Sequence, residues 1–175
     1  PWTREFSLSS SRRFEGVPGF TADLSAISRN SQLIAFLGYE GARLAQAYEQ
    51  LESLAPLNKF AIFGVPGYSP GWDINAVANN VTTIDTKKWS VKYSGASSVS
   101  CAFRLLEDLH QPRKLDEGRT IIAPLGTKPH SIATALFVVE NCSYQETSLI
   151  YDHPTRAQGR SSNVRRWHLY QIDFR

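Results

Sequence analysis

From residue 31 onward, strand-length apolar runs alternate with segments that have the hydrophobic spacing of helices. The apolar runs occupy residues 31–38, 59–65, 89–93, 120–123 and 148–151. The helix-like segments between them occupy residues 42–54, 72–80, 98–109 and 128–141. Four such alternations in a row predict an α/β fold of Rossmann-like type, with a mostly parallel sheet of five to six strands and helices on both faces.

Both ends of the chain depart from this pattern. Residues 1–30 are predicted to form an irregular N-terminal extension, and residues 31–175 a single Rossmann-like ligand-binding domain. The tail Arg166–Phe174 is predicted to be a last strand, antiparallel to the others, after a polar turn. The sequence contains no methionine, even at position 1, so we expect it to be a fragment of a longer polypeptide.

The composition argues against several classes of protein. No apolar run approaches the roughly 18 residues that span a bilayer, so no membrane partner is expected. Cys101 and Cys142 are far from any Cys/His grouping, which suits a reducing cytoplasm and predicts neither a metal site nor a cofactor. The net charge of +3 is compatible with simple solubility, or with an anionic partner if the basic residues converge on one site.

The predicted topology selects two loops as candidate ligand contacts. Right-handed crossovers make the first three strands wind outward in one direction, so the strand at 120–123 has to return to the side of the strand at 31–38. Ligands of open α/β sheets bind at such a junction, outside the carboxyl ends of the strands. We therefore expect the loops at 38–41 and 125–128 to form the site.

The first loop joins a strand directly to a helix. It consists of Gly38, Tyr39, Glu40 and Gly41, and Arg43 follows in the first helical turn. Glycines permit a tight turn, and the helix N-terminus offers backbone N–H groups and a partial positive charge to an anion. An ordinary strand-to-helix turn would have the same residues, so both interpretations stay open here.

The second loop leads into a helix whose first turn contains a cation. Gly126 precedes Thr127 and Lys128, and His130 follows. A lysine at a helix N-terminus is unfavourable by a few tenths of a kcal/mol, roughly, and a bound phosphate would offset that cost. Thr127 is expected either to cap the helix or to donate to the phosphate. The alternatives are a solvated lysine or an internal ion pair between Lys128 and Glu40.

Three further segments contain candidates for lining the same site. Asp152 and His153 follow the strand at 148–151 and would contact a ribose or base, act in acid–base chemistry, or form a turn ahead of a proline. Ser94 opens a small polar loop that would cradle an anion or cap a helix. Tyr68, together with Trp72, is predicted to form an aromatic wall over the pocket.

One apparent catalytic motif lacks the chemistry that it needs. Residues 67–71 match the GxSxG pattern of the hydrolase nucleophile elbow. In that elbow the residue after the serine donates its backbone N–H to the oxyanion hole. Here that residue is Pro70, which has no N–H, so we interpret the segment as a loop and Ser69 as catalytically silent.

The C-terminal segment combines basic and aromatic residues. Such a segment contacts nucleic acid through phosphate pairing and base stacking, or forms a solvated turn beside an edge strand. The basic members are Arg156, Arg160, Arg165 and Arg166, and the aromatic and imidazole members are Trp167, His168 and Tyr170.

The chain resembles the CRISPR-associated Rossmann-fold (CARF) sensor domains of prokaryotic antiviral systems. The resemblance rests on the strand–helix order from Ser31 to Phe174 and on the two loop sequences, GYEG and GTK. The resemblance implies that the two loops line a pocket for a cyclic oligoadenylate, commonly across a two-fold homodimer. It also implies an effector domain elsewhere on the parent chain. By position it assigns Tyr39, Glu40, Gly41 and Arg43 to the first loop and Gly126, Thr127, Lys128 and His130 to the second.

The leading hypothesis is therefore a sensor domain that binds a nucleotide-type second messenger and regulates an effector in antiviral defence. The first alternative is a nucleotide-processing enzyme on the same scaffold, of the phosphodiesterase or ring-nuclease type. Its candidates for a general base are His130, Asp152 and His153. The second alternative is a nucleic-acid-binding module that uses the basic C-terminal segment, whose binding would fall steeply with salt.

Overall fold

The structure of the chain, a computed structural model, describes residues 14–20, 30–51, 58–115, 118–141, 146–152 and 167–173. These ranges contain six strands and four helices. The strands are β1 Glu15–Gly16, β2 Gln32–Leu37, β3 Asn58–Gly64, β4 Ser90–Ser94, β5 Thr120–Pro124 and β6 Thr147–Tyr151. The helices are α1 Gly41–Leu51, α2 Trp72–Lys87, α3 Val99–Leu115 and α4 Lys128–Glu140.

The strands form one mostly parallel sheet in the order β1-β6-β5-β2-β3-β4. The strands β2 to β6 are parallel to their neighbours, and β1 is antiparallel to β6. At the centre, β2 pairs with β5 in the register Leu33↔Ile121 and Ile34↔Ile122. The predicted neighbourhood of these two strands is confirmed, and with it the position of the junction where the winding of the sheet reverses.

Helices cover both faces of the sheet, as predicted. All six residues of β2 are buried, because its alternate side chains pack against helices on opposite sides. Leu33, Ala35 and Leu37 belong to a core that also includes residues of α1 and α2, namely Leu44, Ala47, Ala76 and Ile84. Ile34 and Phe36 belong to the opposite core, with residues of α3 and α4, namely Ala102, Leu106, Ala133 and Phe137.

Two helices are longer than their sequence patterns predict. The helix α2 was expected to end at Asn80 but continues to Lys87, and Ile84 in the added segment is buried. Its C-cap is Lys88, whose φ of 53° is left-handed and whose N–H bonds back to Asp85 O and Ile84 O. The helix α3 passes through Pro112 to Leu115, beyond the expected end at Leu109.

The antiparallel edge strand comes from the N-terminal side of the chain. Glu15 pairs with Tyr151 and Gly16 with Ile150, and Phe14 beside them is buried in the core. The prediction that the tail Arg166–Phe174 is a last strand is wrong for its described residues, 167–173, which have no regular secondary structure. The antiparallel strand beside β6 is β1.

Within the described ranges, no helix has both the length and the apolar character needed to cross a membrane.

Candidate ligand site at the junction of β2 and β5

The loops that follow β2 and β5 contact each other directly. A Cβ atom at Gly38 would lie 3.1 Å from the carbonyl oxygen of Leu125. A Cβ atom at Gly126 would lie 3.2 Å from Phe36 Cβ and 2.8 Å from His130 Nδ1. A side chain at Gly126 would therefore collide with His130, and one at Gly38 would crowd the backbone of the second loop.

The start of α1 is pressed against α2. A Cβ atom at Gly41 would lie 1.8 Å from the carbonyl oxygen of Asn79. The side chains of Asn79 and Asn80 donate hydrogen bonds to the carbonyl oxygens of Tyr39 and Gly38, at 2.8 and 3.0 Å. The two asparagines thus hold the first loop by its backbone.

We expect Gly41→Ala to lower the free energy of unfolding by about 1–3 kcal/mol, because the new methyl group overlaps backbone that cannot move independently of α2. Urea unfolding measures the change. Gly95→Ala is the matched control, since its Cβ would lie 3.4 Å from Ser98 Cβ, an ordinary contact distance. Equal stability of the two variants would contradict the close approach of α1 and α2.

Arg43 forms a buried ion pair with Asp152. Its Nε and Nη2 atoms donate to Oδ2 and Oδ1 of Asp152 at 2.6 and 2.5 Å, and Nη1 lies 3.3 Å from Oε2 of Glu40. The Asp152 residue is 0% exposed and Arg43 is 7% exposed. Burial acts to lower the pKa of Arg43, but the hydrogen bond and charge of Asp152, with the charge of Glu40, raise it overall. The cation predicted to meet a bound anion is therefore already compensated by two carboxylates.

This ion pair also ties together two parts of the site. Arg43 lies in the first turn of α1, whereas Asp152 directly follows β6. The guanidinium of Arg43 also lies 5.7 Å from the ring centroid of Tyr151. The predicted partner of Asp152, His153, lies outside the described residues.

Thr127 caps α4. Its Oγ atom accepts a hydrogen bond from the backbone N–H of His130 at 3.5 Å and donates one to the carbonyl oxygen of Ala96 at 2.6 Å. Of the two roles predicted for this hydroxyl, the structure shows the cap. The bond to Ala96 also joins the start of α4 to the loop that follows β4.

Lys128 is the first residue of α4 and is exposed. The first turn of α4 contains no acidic residue, and among the described residues no carboxylate forms a salt bridge with Lys128. The described salt bridge of Glu40 is with Arg43, which argues against the predicted alternative of a pair between Lys128 and Glu40. The two loops thus contain one exposed cation, at a helix end that disfavours it.

His130 lies beneath the second loop and not in its opening. The residue is 0% exposed and its ring stacks on Phe36, with ring centroids 4.7 Å apart. Nε2 lies 3.3 Å from the carbonyl oxygen of Gly95, which is consistent with a proton on that nitrogen. Burial lowers the pKa of His130 to about 4, although the backbone of Gly95 and Ser94 acts in the opposite direction. The imidazole is therefore neutral near pH 7.

Ser94 and its loop have a structural role that the sequence left open. The side chain of Ser94 is buried, and its carbonyl oxygen accepts a hydrogen bond from Val65 N at 2.9 Å. The helix cap in this loop is Ser98, whose Oγ accepts a hydrogen bond from Cys101 N at 3.2 Å. Of the two roles predicted for this loop, an anion cradle or a helix cap, the structure shows the helix cap.

Two aromatic residues near the first loop contact each other. The rings of Tyr39 and Trp72 lie edge to face, with ring centroids 5.8 Å apart. Burial, with the nearby charge of Asp73, raises the pKa of Tyr39 to about 12, so its phenol stays protonated. Tyr68 contacts His168 of the tail, with ring centroids 5.9 Å apart.

The described candidates for a general base are both engaged. His130 is stacked in the core, and Asp152 is bound to Arg43. The segment with the GxSxG pattern is not a sharp elbow, because residues 65–71 separate β3 from α2 and the carbonyl oxygen of Ser69 accepts from Trp72 N at 3.1 Å. Within the described ranges, no group of three His, Cys, Asp or Glu side chains is placed to hold a metal ion.

Sequence reasoning missed two contributions to this edge of the sheet. The first is the pair Asn79 and Asn80 on α2, which bind the backbone of the first loop. The only signal for it in the sequence is two adjacent amide residues at the end of the predicted helix, of which Asn80 is buried. The second is the tail, whose His168 and Tyr170 contact the loops after β3 and β4. No local pattern predicts these partners.

Comparison of the chain with protein-family models and with curated proteins finds no match.

Proposed function

We propose that this chain is the sensor domain of a larger cytoplasmic protein and binds a nucleotide-type second messenger at the junction of β2 and β5. A cyclic oligonucleotide is the ligand that the resemblance to the CARF domains implies, together with a homodimer and an effector of antiviral defence. The observation that carries the proposal is the position of Lys128, which is exposed at the start of α4, two residues after Gly126 in the loop that contacts the loop following β2.

The electrostatics of the two helix ends favour α4 as the phosphate site. At α1, the carboxylate of Glu40 precedes the first turn and lies 3.3 Å from Arg43. A negative group therefore already complements that helix end. At α4, the first turn has no acidic residue and begins with Lys128, so the partial positive charge of the helix end and the full charge of the lysine belong to the same turn. A phosphate there would relieve the repulsion.

The ligand has to be identified before the site can be tested. Anything that binds the folded chain and not the unfolded chain raises the melting temperature by mass action. We expect a cyclic oligoadenylate to raise the melting temperature, and inorganic phosphate to do so only at much higher concentration. A panel of linear and cyclic nucleotides that leaves the melting temperature unchanged would contradict the proposal.

Lys128→Ala is expected to weaken the binding of the cyclic oligoadenylate at least about tenfold. A charge-assisted hydrogen bond contributes roughly 1.5–3 kcal/mol, and about 1.4 kcal/mol corresponds to one decade of affinity. The fold should be retained, because the residue is exposed and its removal relieves the helix end. Isothermal titration calorimetry, with melting curves of the same samples, measures both effects.

Lys92→Ala is the matched control, since it removes an equal charge from an exposed position on β4, two strands from β2. Its affinity should equal that of the wild type. Unchanged affinity in Lys128→Ala would show that the lysine is merely solvated. A loss of equal size in both variants would show that only the net charge of the chain matters.

A further inference from the structure

The tail residues Trp167–Asp173, called here the aromatic tail, are held against the carboxyl edge of the sheet. The phenol of Tyr170 donates a hydrogen bond to the carbonyl oxygen of Ser97 at 3.0 Å, and its ring packs against the core between the sheet and α3 and α4. The ring of His168 contacts Tyr68, in the loop between β3 and α2. The aromatic tail therefore lies beside the loops that follow β3 and β4.

A single loop connects the aromatic tail to the proposed phosphate site. Ser97, which binds Tyr170, lies next to Ala96, which accepts the hydrogen bond of Thr127 at 2.6 Å. Thr127 in turn directly precedes Lys128. A ligand with its phosphate at the start of α4 would thus have the aromatic tail across the adjacent loop.

The rings of His168 and Tyr170 have the geometry of a stacking site. Their centroids are 6.2 Å apart and their planes differ by 10°. The two rings are therefore nearly parallel, and His168 is exposed, so a flat ring can stack on the pair from the solvent side.

The rest of the aromatic tail is too exposed to be explained by packing. Trp167 is 86% exposed and Leu169 is 98% exposed, so neither contributes much to the stability of the fold. Of the neighbours of Leu169, Tyr170 is anchored by its hydrogen bond to Ser97, and His168 is exposed but has ring contacts with Tyr68 and Tyr170. A ring pair at a polar edge fits a flat heteroaromatic ligand better than it fits an apolar protein partner.

We propose that His168 and Tyr170 stack on a nucleobase of the ligand whose phosphate lies at Lys128. This inference rests on the proposed function and specifies its ligand as one with at least one base, of any identity, since every base has a π-face. Tyr170 is fixed by Ser97 and by the core, whereas His168 is exposed and is the ring that a base approaching from solvent contacts first.

The test uses a 5′-phosphorylated triadenylate with 2-aminopurine at one position, because the fluorescence of this base is quenched when it stacks on an aromatic ring. The wild type should bind the probe and quench it. His168→Ala should lower the affinity about 5- to 100-fold and abolish most of the quenching. Tyr170→Leu, which keeps an apolar contact with the core, should do the same. Leu169→Ala is the matched control, from the same segment, and should behave as the wild type.

The outcomes separate this inference from the proposed function. If Lys128→Ala weakens binding but His168→Ala and Tyr170→Leu leave affinity and quenching intact, the stacking inference is overturned and the phosphate site stands. If the histidine and tyrosine variants weaken binding but Lys128→Ala does not, the aromatic tail binds single-stranded nucleic acid on its own account, and the shared site is overturned. If the wild type neither binds nor quenches the probe although a cyclic oligoadenylate raises its melting temperature, the stacking inference is overturned and the proposed function stands. If no nucleotide of the panel binds either, both proposals fail. Melting curves show whether each variant is folded.

Discussion

Replacing Asp152 with alanine is expected to lower the free energy of unfolding by about 3–5 kcal/mol, because the buried guanidinium of Arg43 would lose its two shortest hydrogen bonds. The remaining carboxylate, on Glu40, lies 3.3 Å from Nη1 and compensates the charge only in part. Urea unfolding at neutral pH measures the change. Exposed ion pairs contribute less than about 1 kcal/mol to the free energy of unfolding. A loss of that size in Asp152→Ala would contradict the burial of the pair.

Two further variants show whether the loss belongs to the pair. Asp108→Ala removes an exposed carboxylate from α3 and should change the stability by no more than about 0.5 kcal/mol. The double variant Arg43→Ala/Asp152→Ala should be more stable than the sum of the single losses implies, because neither charge is left buried alone. Strict additivity would show that the two residues act independently.

Acid is expected to destabilise the fold through His130. The folded pKa of about 4 lies below the ordinary value of 6.5, so between these values the unfolded chain binds a proton that the folded chain does not. The contribution of His130 is therefore fully present above pH 6.5 and is lost as the pH falls through 4. The difference between the folded and the ordinary pKa corresponds to a loss of about 3 kcal/mol in the free energy of unfolding.

Urea unfolding of the wild type measures how the free energy of unfolding depends on pH. The curves are taken at about pH 7, at about pH 5.5 and at about pH 4, the last being the folded pKa of His130. His130→Gln retains a side-chain donor for the carbonyl oxygen of Gly95 but does not titrate, so its stability should fall less over the same interval. His168→Ala removes an exposed histidine and should leave the dependence as in the wild type. Parallel curves for the wild type and His130→Gln would remove His130 as the cause.

The sheet was largely predictable because its central strands are buried on both faces. A strand such as β2, Gln32–Leu37, is a continuous apolar run whose identity requires no knowledge of its partners. The handedness of crossover connections then placed β2 beside β5.

The helix ends were less predictable. Continuation of α2 beyond Asn80 buries Ile84 in a core whose other members lie elsewhere in the sequence.

The positions of the two loops follow from the order of strands and helices, and the sequence by itself was enough to place them at one junction. The partners within the site follow from distances that the sequence does not contain. Arg43 and Asp152 are 109 residues apart, and Tyr170 and Ser97 are 73 residues apart. Local patterns report which side chains are apolar along a strand or helix, since burial of a face is a periodic property. Only the tertiary structure decided which charges meet, because a charge is compensated by whichever group the fold brings to it.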